Sequence, residues 1–279
     1  MQPTGNWIID ILNYSFGFWS DAMRQIHELL LTSPEALRGG SVYRIMSGIH
    51  GGLKAVSYAL LVLFFLAGVV RATTSFSEIK RPEAALKLFI RFAVAKAIVT
   101  YSMDLLSGIF RIVQGILRKV SDHAGSFLTE GVRLPEVIER KILECGFLDS
   151  IPLWIVSMIG ALLITVLSFV MILTVYSRFF KLYMYTAVAP VPLSSFAGEG
   201  IGQIGKQFLK SYAGVCLQGV MILIACVIYS AFAETPTVPG DTNATTMVFV
   251  FVFQMVFNFL LLVGSVRMSE RVVKEMIGF

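Results

Sequence analysis

The feature that most constrains the fold of this chain is a set of apolar runs long enough to cross a lipid bilayer. Four are clear, at residues 53–70, 151–175, 212–232 and 247–266. Each has about the length that a helix needs to cross about 30 Å of hydrocarbon. Backbone amides in lipid must be satisfied within the segment, so all four are predicted to be helices. With 56% hydrophobic and only 15% charged residues, the composition excludes an ordinary water-soluble enzyme and a disordered chain.

Two further segments are less regular. Residues 88–113 are apolar on one side only and are predicted to form a fifth span. Residues 182–196 contain Pro190 and Pro192, and proline removes amide donors and clashes with the preceding turn. This short segment is therefore predicted to dip into the membrane and return. The predicted fold class is all-α, a polytopic membrane helix bundle of about five transmembrane helices with a proline-broken re-entrant segment.

The distribution of Lys and Arg predicts the orientation. A short loop at residues 71–87 is rich in basic residues and adjoins two spans, where the positive-inside rule is strongest, whereas residues 233–246 contain no base. Five spans place the N-terminus outside and the C-terminus in the cytoplasm. A six-span alternative raises the number of bases inside but inverts their density. The predicted regions are 1–52, an amphipathic helical region; 53–113, the first two spans; 114–150, an extracytoplasmic cap with a helix start at Pro135; and 151–279, the C-terminal membrane region.

The N-terminal region is predicted to form an amphipathic helix. Polar side chains from Asp10 to Glu28 occupy one sector of the helical wheel, and two Trp residues lie on the apolar side. Such a helix suits a headgroup layer or a partner helix; it could equally pack on the protein's own spans. The first basic residue is Arg24, so no cleavable signal peptide is expected, and the mature chain is expected to begin at Met1.

The fifth span carries the strongest functional signal, a polar stripe along one side of the predicted helix. At 100° per residue its members fall within about 80° of one another, and with Arg118 the stripe is about 33 Å long. The candidate channel-lining residues are Lys96, Thr100, Asp104, Ser107, Arg111 and Gln114.

Charged side chains at mid-bilayer cost several kcal/mol, so the stripe should face water, partners or other subunits. One interpretation is the wall of a hydrated path. A second is interhelical pairing with Gln218, Gln254 or Asn258, and a third is a helix lying flat on the membrane surface. A carrier that uses Asp104 with Lys96 or Arg111 as a coupling site near the midplane is the alternative function.

Motifs for catalysis, metal or cofactors are lacking. Residues 200–206 match GxGxxG and the start of a Walker A loop, but Gln207 stands where Ser or Thr should hold magnesium, and no buried strand precedes the motif. Gly198 and Gly202 more simply allow close backbone approach in a tight cytoplasmic turn. The three cysteines show no metal or disulfide spacing. We therefore expect no catalytic residue, no metal and no cofactor; the chain is predicted not to be an enzyme.

The run from residue 183 to 224 resembles a known family. It contains Met-Tyr-Thr-Ala-Val-Ala-Pro-Val-Pro at 184–192, a Gly-rich turn, Phe-Leu-Lys-Ser-Tyr at 208–212 and Leu-Gln-Gly at 217–219. This pattern resembles the TrbL/VirB-type polytopic inner-membrane subunits of conjugative type IV secretion systems, in the form found on mobile elements of Gram-positive bacteria. The family-like positions are Pro190, Pro192, Lys210, Gln218 and Gly219.

The resemblance implies a non-enzymatic channel or scaffold subunit of a conjugal DNA-transfer apparatus in the bacterial cytoplasmic (inner) membrane. It also implies homo-oligomers, contacts with other type IV secretion channel subunits and, through them, with ATPases. Contact with single-stranded DNA or protein substrate is implied by the family alone. The lipid bilayer itself is the one partner that the apolar runs predict directly.

Overall fold

The computed structural model describes residues 5–73, 82–124, 132–232 and 243–278. Within these ranges the chain forms nine α-helices and two short 3₁₀ helices, η1 (Leu37–Gly40) and η2 (Ser194–Ala197). The α-helices are α1 (Trp7–Leu31), α2 (Ser41–Thr73), α3 (Pro82–Thr100), α4 (Ser102–Ala124), α5 (Glu136–Leu143), α6 (Phe147–Val188), α7 (Pro190–Leu193), α8 (Gln203–Phe232) and α9 (Ala244–Ile277).

The predicted all-α membrane bundle is confirmed. Among the described residues, α2, α6, α8 and α9 are long and apolar enough to cross a membrane, and each contains one of the four clear predicted spans. Each helix also extends beyond its apolar run, because helical hydrogen bonding does not stop where hydropathy falls. The bent pair α3–α4 makes a fifth span if it is counted as one.

One compact unit comprises residues 1–31, 117–176 and 219–272. Helix α1 begins where Asn6 caps it, its side-chain oxygen accepting from the amide of Ile8 at 3.1 Å. The apolar face of α1 is buried against α6 and α9: Trp19 stacks on Phe259 with ring centroids 3.9 Å apart. Helix α1 therefore packs on the protein's own spans, which is one of the alternatives that its periodicity left open.

The same unit contains α5, which begins directly after Pro135, as predicted. Ile138 and Ile142 on this helix are buried. Glu139 on α5 accepts a hydrogen bond from the side-chain amide of Asn13 on α1 at 3.3 Å, which connects the two helices. The described part of the predicted cap is therefore folded; residues 125–131 lie outside the described ranges.

The second unit comprises residues 32–116, 177–218 and 273–279. In it, α7 and η2 pack on α2 and α3. The predicted re-entrant segment 182–196 is divided: residues 182–188 continue α6, and Pro190 starts α7 at the first helical position, where the fixed φ of proline suits a helix start. The prolines thus end α6 and form no separate span. Pro190 is buried and Pro192 is half-buried.

Candidate functional site

The polar stripe does not lie on one straight helix. The predicted span 88–113 is divided at Tyr101 into α3 and α4, which meet at a bend of 70°. Lys96 and Thr100 lie on α3, whereas Asp104, Ser107, Arg111 and Gln114 lie on α4. The expected unbroken track of about 33 Å is therefore wrong, and hydrogen bonds from α2 supply the physical reason.

Helix α2 supplies donors at the bend. The Lys54 ammonium donates to the carbonyl oxygen of Thr100 at 2.7 Å, and the hydroxyls of Tyr58 and Thr100 are 2.9 Å apart. Thr100 is the last residue of α3, where carbonyls have no partner within the helix and a cation is favourable. The bend is stabilised because Lys54 replaces the backbone donor that a continuous helix would provide.

His50 likewise supplies a hydrogen-bond donor to a backbone carbonyl at the C-terminal end of α6. Its Nδ1 lies 2.7 Å from the carbonyl oxygen of Thr186, which in a continuous helix would accept from the amide of residue 190. Pro190 has no N–H, so the imidazole supplies the missing donor. The other ring nitrogen, Nε2, lies 3.0 Å from the hydroxyl of Ser102 at the start of α4. His50 is 2% exposed and joins α2, α4 and α6.

His50, Lys54 and Tyr58 therefore form a polar row at four-residue spacing, which places them on one face of α2. The predicted span 53–70 leaves out His50, and Lys54 and Tyr58 within it were counted only as part of an apolar run. Extending the periodicity count toward the N-terminus of α2 could have found them. Two of their partners are backbone carbonyls at helix ends, which carry no signal in the side-chain pattern.

Three stripe residues meet in one cavity of about 250 Å³ within the second unit. Ser107, Arg111 and Gln114 line it together with Glu35 from the segment that precedes α2. The Ser107 hydroxyl donates to a carboxylate oxygen of Glu35 at 3.3 Å. The remaining lining residues are Ser33, Pro34, Tyr43, Leu106, Phe110, Thr186 and Tyr212.

The other stripe residues lie outside this cavity. Lys96 and Asp104 are exposed, and within the described residues no ion pair joins Asp104 to Lys96 or Arg111. Thr100 lies at the bend, where it forms hydrogen bonds with Lys54 and Tyr58 of α2. The structure therefore groups three of the six candidates and leaves the two charged residues nearest the bend on the surface.

Arg178 on α6 is a buried charge that the sequence analysis did not single out. It is 0% exposed, and its Nε donates to the carbonyl oxygen of Val215 at 3.3 Å. Its two terminal nitrogens have no hydrogen-bond partner among the described residues. Its sequence position, just beyond the apolar run 151–175, resembled that of a loop base, which concealed its burial.

The glycine-rich stretch forms a turn between η2 and α8. A side chain at Gly198 would lie 3.2 Å from the carbonyl oxygen of Phe64, so this glycine permits close approach to α2, as predicted. Gly202 has only ordinary contacts. A helix precedes the GxGxxG string, which therefore lacks the strand that a dinucleotide site requires.

The family-like positions on α8 differ in burial. Lys210 is exposed, whereas Gln218 and Gly219 are buried. No group of three or more His, Cys, Asp and Glu side chains in the described ranges is arranged to hold a metal ion.

The long apolar helices and their exposed apolar side chains, such as Leu63, Phe89, Leu162 and Phe253, define the class: an all-helical multi-pass membrane protein. Residues 56–190 match the model of the family described as TrbL/VirB6 plasmid conjugal transfer like protein. The match confirms the resemblance to TrbL/VirB6-type conjugation proteins.

The matched range contains the whole stripe and Pro190 but ends before Pro192, Lys210, Gln218 and Gly219. No curated protein and no solved structure matches the chain. The match supports a subunit of a type IV secretion system for conjugal transfer, and membership of this family implies association with other components of such a system.

Proposed function

We propose that this chain is a non-enzymatic channel or scaffold subunit of a conjugal DNA-transfer apparatus in the bacterial cytoplasmic membrane. One observation carries the proposal: Lys96, Asp104 and Arg111 are exposed on α3 and α4, two helices that also expose large apolar side chains such as Phe89 and Ile112. Charged side chains do not face acyl chains. They therefore face water or companion chains, including further copies of this one.

The surface of α4 supports this interpretation. Its buried residues Leu106, Phe110 and Val113 define one arc, and the exposed apolar residues Leu105 and Ile112 define a second. The stripe occupies a third arc between them on the helical wheel. One helix thus presents separate faces to the protein core, to lipid and to a polar environment.

The carrier alternative requires Asp104 to act with Lys96 or Arg111. The bend at Tyr101 separates Lys96 from the α4 residues, and no described contact pairs Asp104 with either base. No observation favours this second function, so we retain the channel or scaffold role. Energy for transfer would come from separate ATPases.

The stripe is tested by Asp104→Leu and Arg111→Leu. Each should lower conjugal transfer by at least about tenfold, since removing a charge from a hydrated surface alters every contact made there, while membrane insertion stays normal. Lys119→Leu is the matched control, because Lys119 is exposed on the same helix but lies off the stripe. Wild-type transfer in both stripe variants would remove the stripe from the mechanism.

Companion chains are tested by Asp104→Cys with a short bifunctional thiol reagent in intact membranes. The proposal predicts a crosslinked product with a second copy or another transfer subunit. Ile112→Cys, on the lipid-facing arc of α4, should give much less. Equal crosslinking from both positions, or none from either, would contradict a subunit contact at the stripe.

A further inference from the structure

The cavity that Ser107, Arg111 and Gln114 line has a rim and a floor of different chemistry. Glu35 and Arg111 at the rim are exposed, whereas Leu106, Phe110, Thr186 and Tyr212 in the floor are buried. The rim therefore carries one negative and one positive charge. Within the described residues neither forms an ion pair, so both remain able to bind an external group.

A ligand for this rim must carry both an anion and a cation. A guanidinium binds phosphate oxygens through two parallel N–H donors, and a carboxylate accepts from an ammonium group. Ligand cavities for drug-sized molecules are about 300–1,000 Å³, so about 250 Å³ accommodates a headgroup and not a whole lipid. The two charges and the size together match a small zwitterion.

The surroundings of the cavity indicate where the rest of such a molecule lies. Ile112 on α4 directly follows the cavity residue Arg111 and is 70% exposed. Ile45 on α2 lies two positions after the cavity residue Tyr43 and is 62% exposed. Apolar side chains exposed on a membrane protein face acyl chains. A molecule with a zwitterionic head and apolar tails therefore contacts both surfaces at once.

We propose that this cavity binds the phosphoethanolamine headgroup of an aminophospholipid, with the phosphate on Arg111 and the ammonium on Glu35. The Ser107 hydroxyl donates a hydrogen bond to the Glu35 carboxylate, and Tyr43 and Tyr212 line the remaining space. A choline headgroup has no N–H to donate to Glu35, and a glycerol headgroup has no cation. The site therefore selects by headgroup.

The test is a lipid competition on the purified full-length protein. The protein is exchanged into equimolar phosphatidylethanolamine, phosphatidylcholine and phosphatidylglycerol with identical acyl chains, and the retained lipid is measured by native mass spectrometry. We expect phosphatidylethanolamine to be retained about tenfold over each of the others, because only it satisfies both charges. Equal retention of all three would show annular lipid only and overturn the proposal.

Single substitutions test whether Glu35 binds the ammonium group and Arg111 binds the phosphate. Glu35→Gln should abolish the preference for phosphatidylethanolamine over phosphatidylcholine, and Arg111→Gln should reduce retention of all three lipids. Asp104→Asn is the matched control, since Asp104 is an exposed charge on α4 outside the cavity. An unchanged preference in Glu35→Gln would overturn the site.

Two further measurements distinguish the lipid site from a site for a free phosphate compound and from the proposed channel role. Free O-phosphoethanolamine in detergent should compete only weakly; competition as strong as the lipid's would contradict a membrane lipid as the ligand. Glu35→Gln is also assayed for transfer. Loss of lipid selectivity and loss of transfer are separate readouts, so the lipid site and the proposed channel role can fail independently.

Discussion

His50 and Lys54 act as substitutes for missing backbone donors. Pro190 deprives the Thr186 carbonyl of its helical partner, and the bend at Tyr101 does the same for the Thr100 carbonyl. A buried carbonyl left without a donor costs about 1–3 kcal/mol, and the cost is higher where water cannot reach. Two side chains one helical turn apart on α2 remove both penalties.

The role of His50 predicts a specific pattern of stability. His50→Phe should lower the free energy of unfolding by about 1–3 kcal/mol, because the Thr186 carbonyl loses its donor. His50→Gln should recover part of the loss, since its amide can donate. The measurement is denaturant unfolding in detergent micelles. Ser57→Ala is the control, because the Ser57 hydroxyl bonds only within its own helix; equal stability of all four proteins would refute the role.

At the scale of elements, the bend between α3 and α4 decides which surfaces the stripe residues occupy. A helix-period count treats Lys96 and Asp104 as neighbours two turns apart, but the 70° bend directs α3 and α4 along different axes. Neither proline nor glycine marks the break. It depends on contacts from α2, which no periodicity count along residues 88–113 contains.

The bend should therefore depend on Lys54. Lys54→Met keeps the length of the side chain but removes the donor to Thr100, so the angle between α3 and α4 should become broadly distributed. Spin labels at Ile90 and Ile112, both exposed, would report this as a wider distance distribution by double electron–electron resonance. Lys87→Met, an exposed lysine on α3, should leave the distribution narrow; narrow distributions in both would separate the bend from Lys54.

The sequence pattern of helix α1 predicts its apolar side but not the surface that this side contacts. Its amphipathic pattern correctly predicted a helix. Of the residues on the predicted apolar side, Trp19 and Ile26 are buried, whereas Trp7 is 53% exposed. The pattern alone could not distinguish a headgroup layer from a protein surface, because both hide the same side chains. The stacking of Trp19 on Phe259 settles the matter by a contact distant in sequence.

At the scale of the whole molecule, the orientation of the spans remains a prediction. In a Cys145→Ser background, single cysteines at Ser126, Gln207 and Thr242 should react with an impermeant thiol reagent from outside, only from the cytoplasm, and from outside, respectively. The positive-inside rule gives this pattern for five spans. Gln207, near the start of α8, is exposed, whereas Ser194 in η2 is 0% exposed and would be a poor site.

Cys216 and Cys226 are buried and serve as an unreactive internal reference. Labelling of Ser126→Cys from the cytoplasm would instead support six spans. Permeabilised cells give the total accessible signal for each position.

The sequence by itself determined the fold class, the family resemblance and the positions of the four longest apolar helices, because hydropathy over about 20 residues leaves helices as the only way to satisfy backbone amides in lipid. The tertiary structure alone decided the bend at Tyr101, the burial of Arg178 and the grouping of Arg111 with Glu35. These features depend on contacts between segments far apart in the chain. Local periodicity records which face of a helix is polar; it does not record which other segment meets that face.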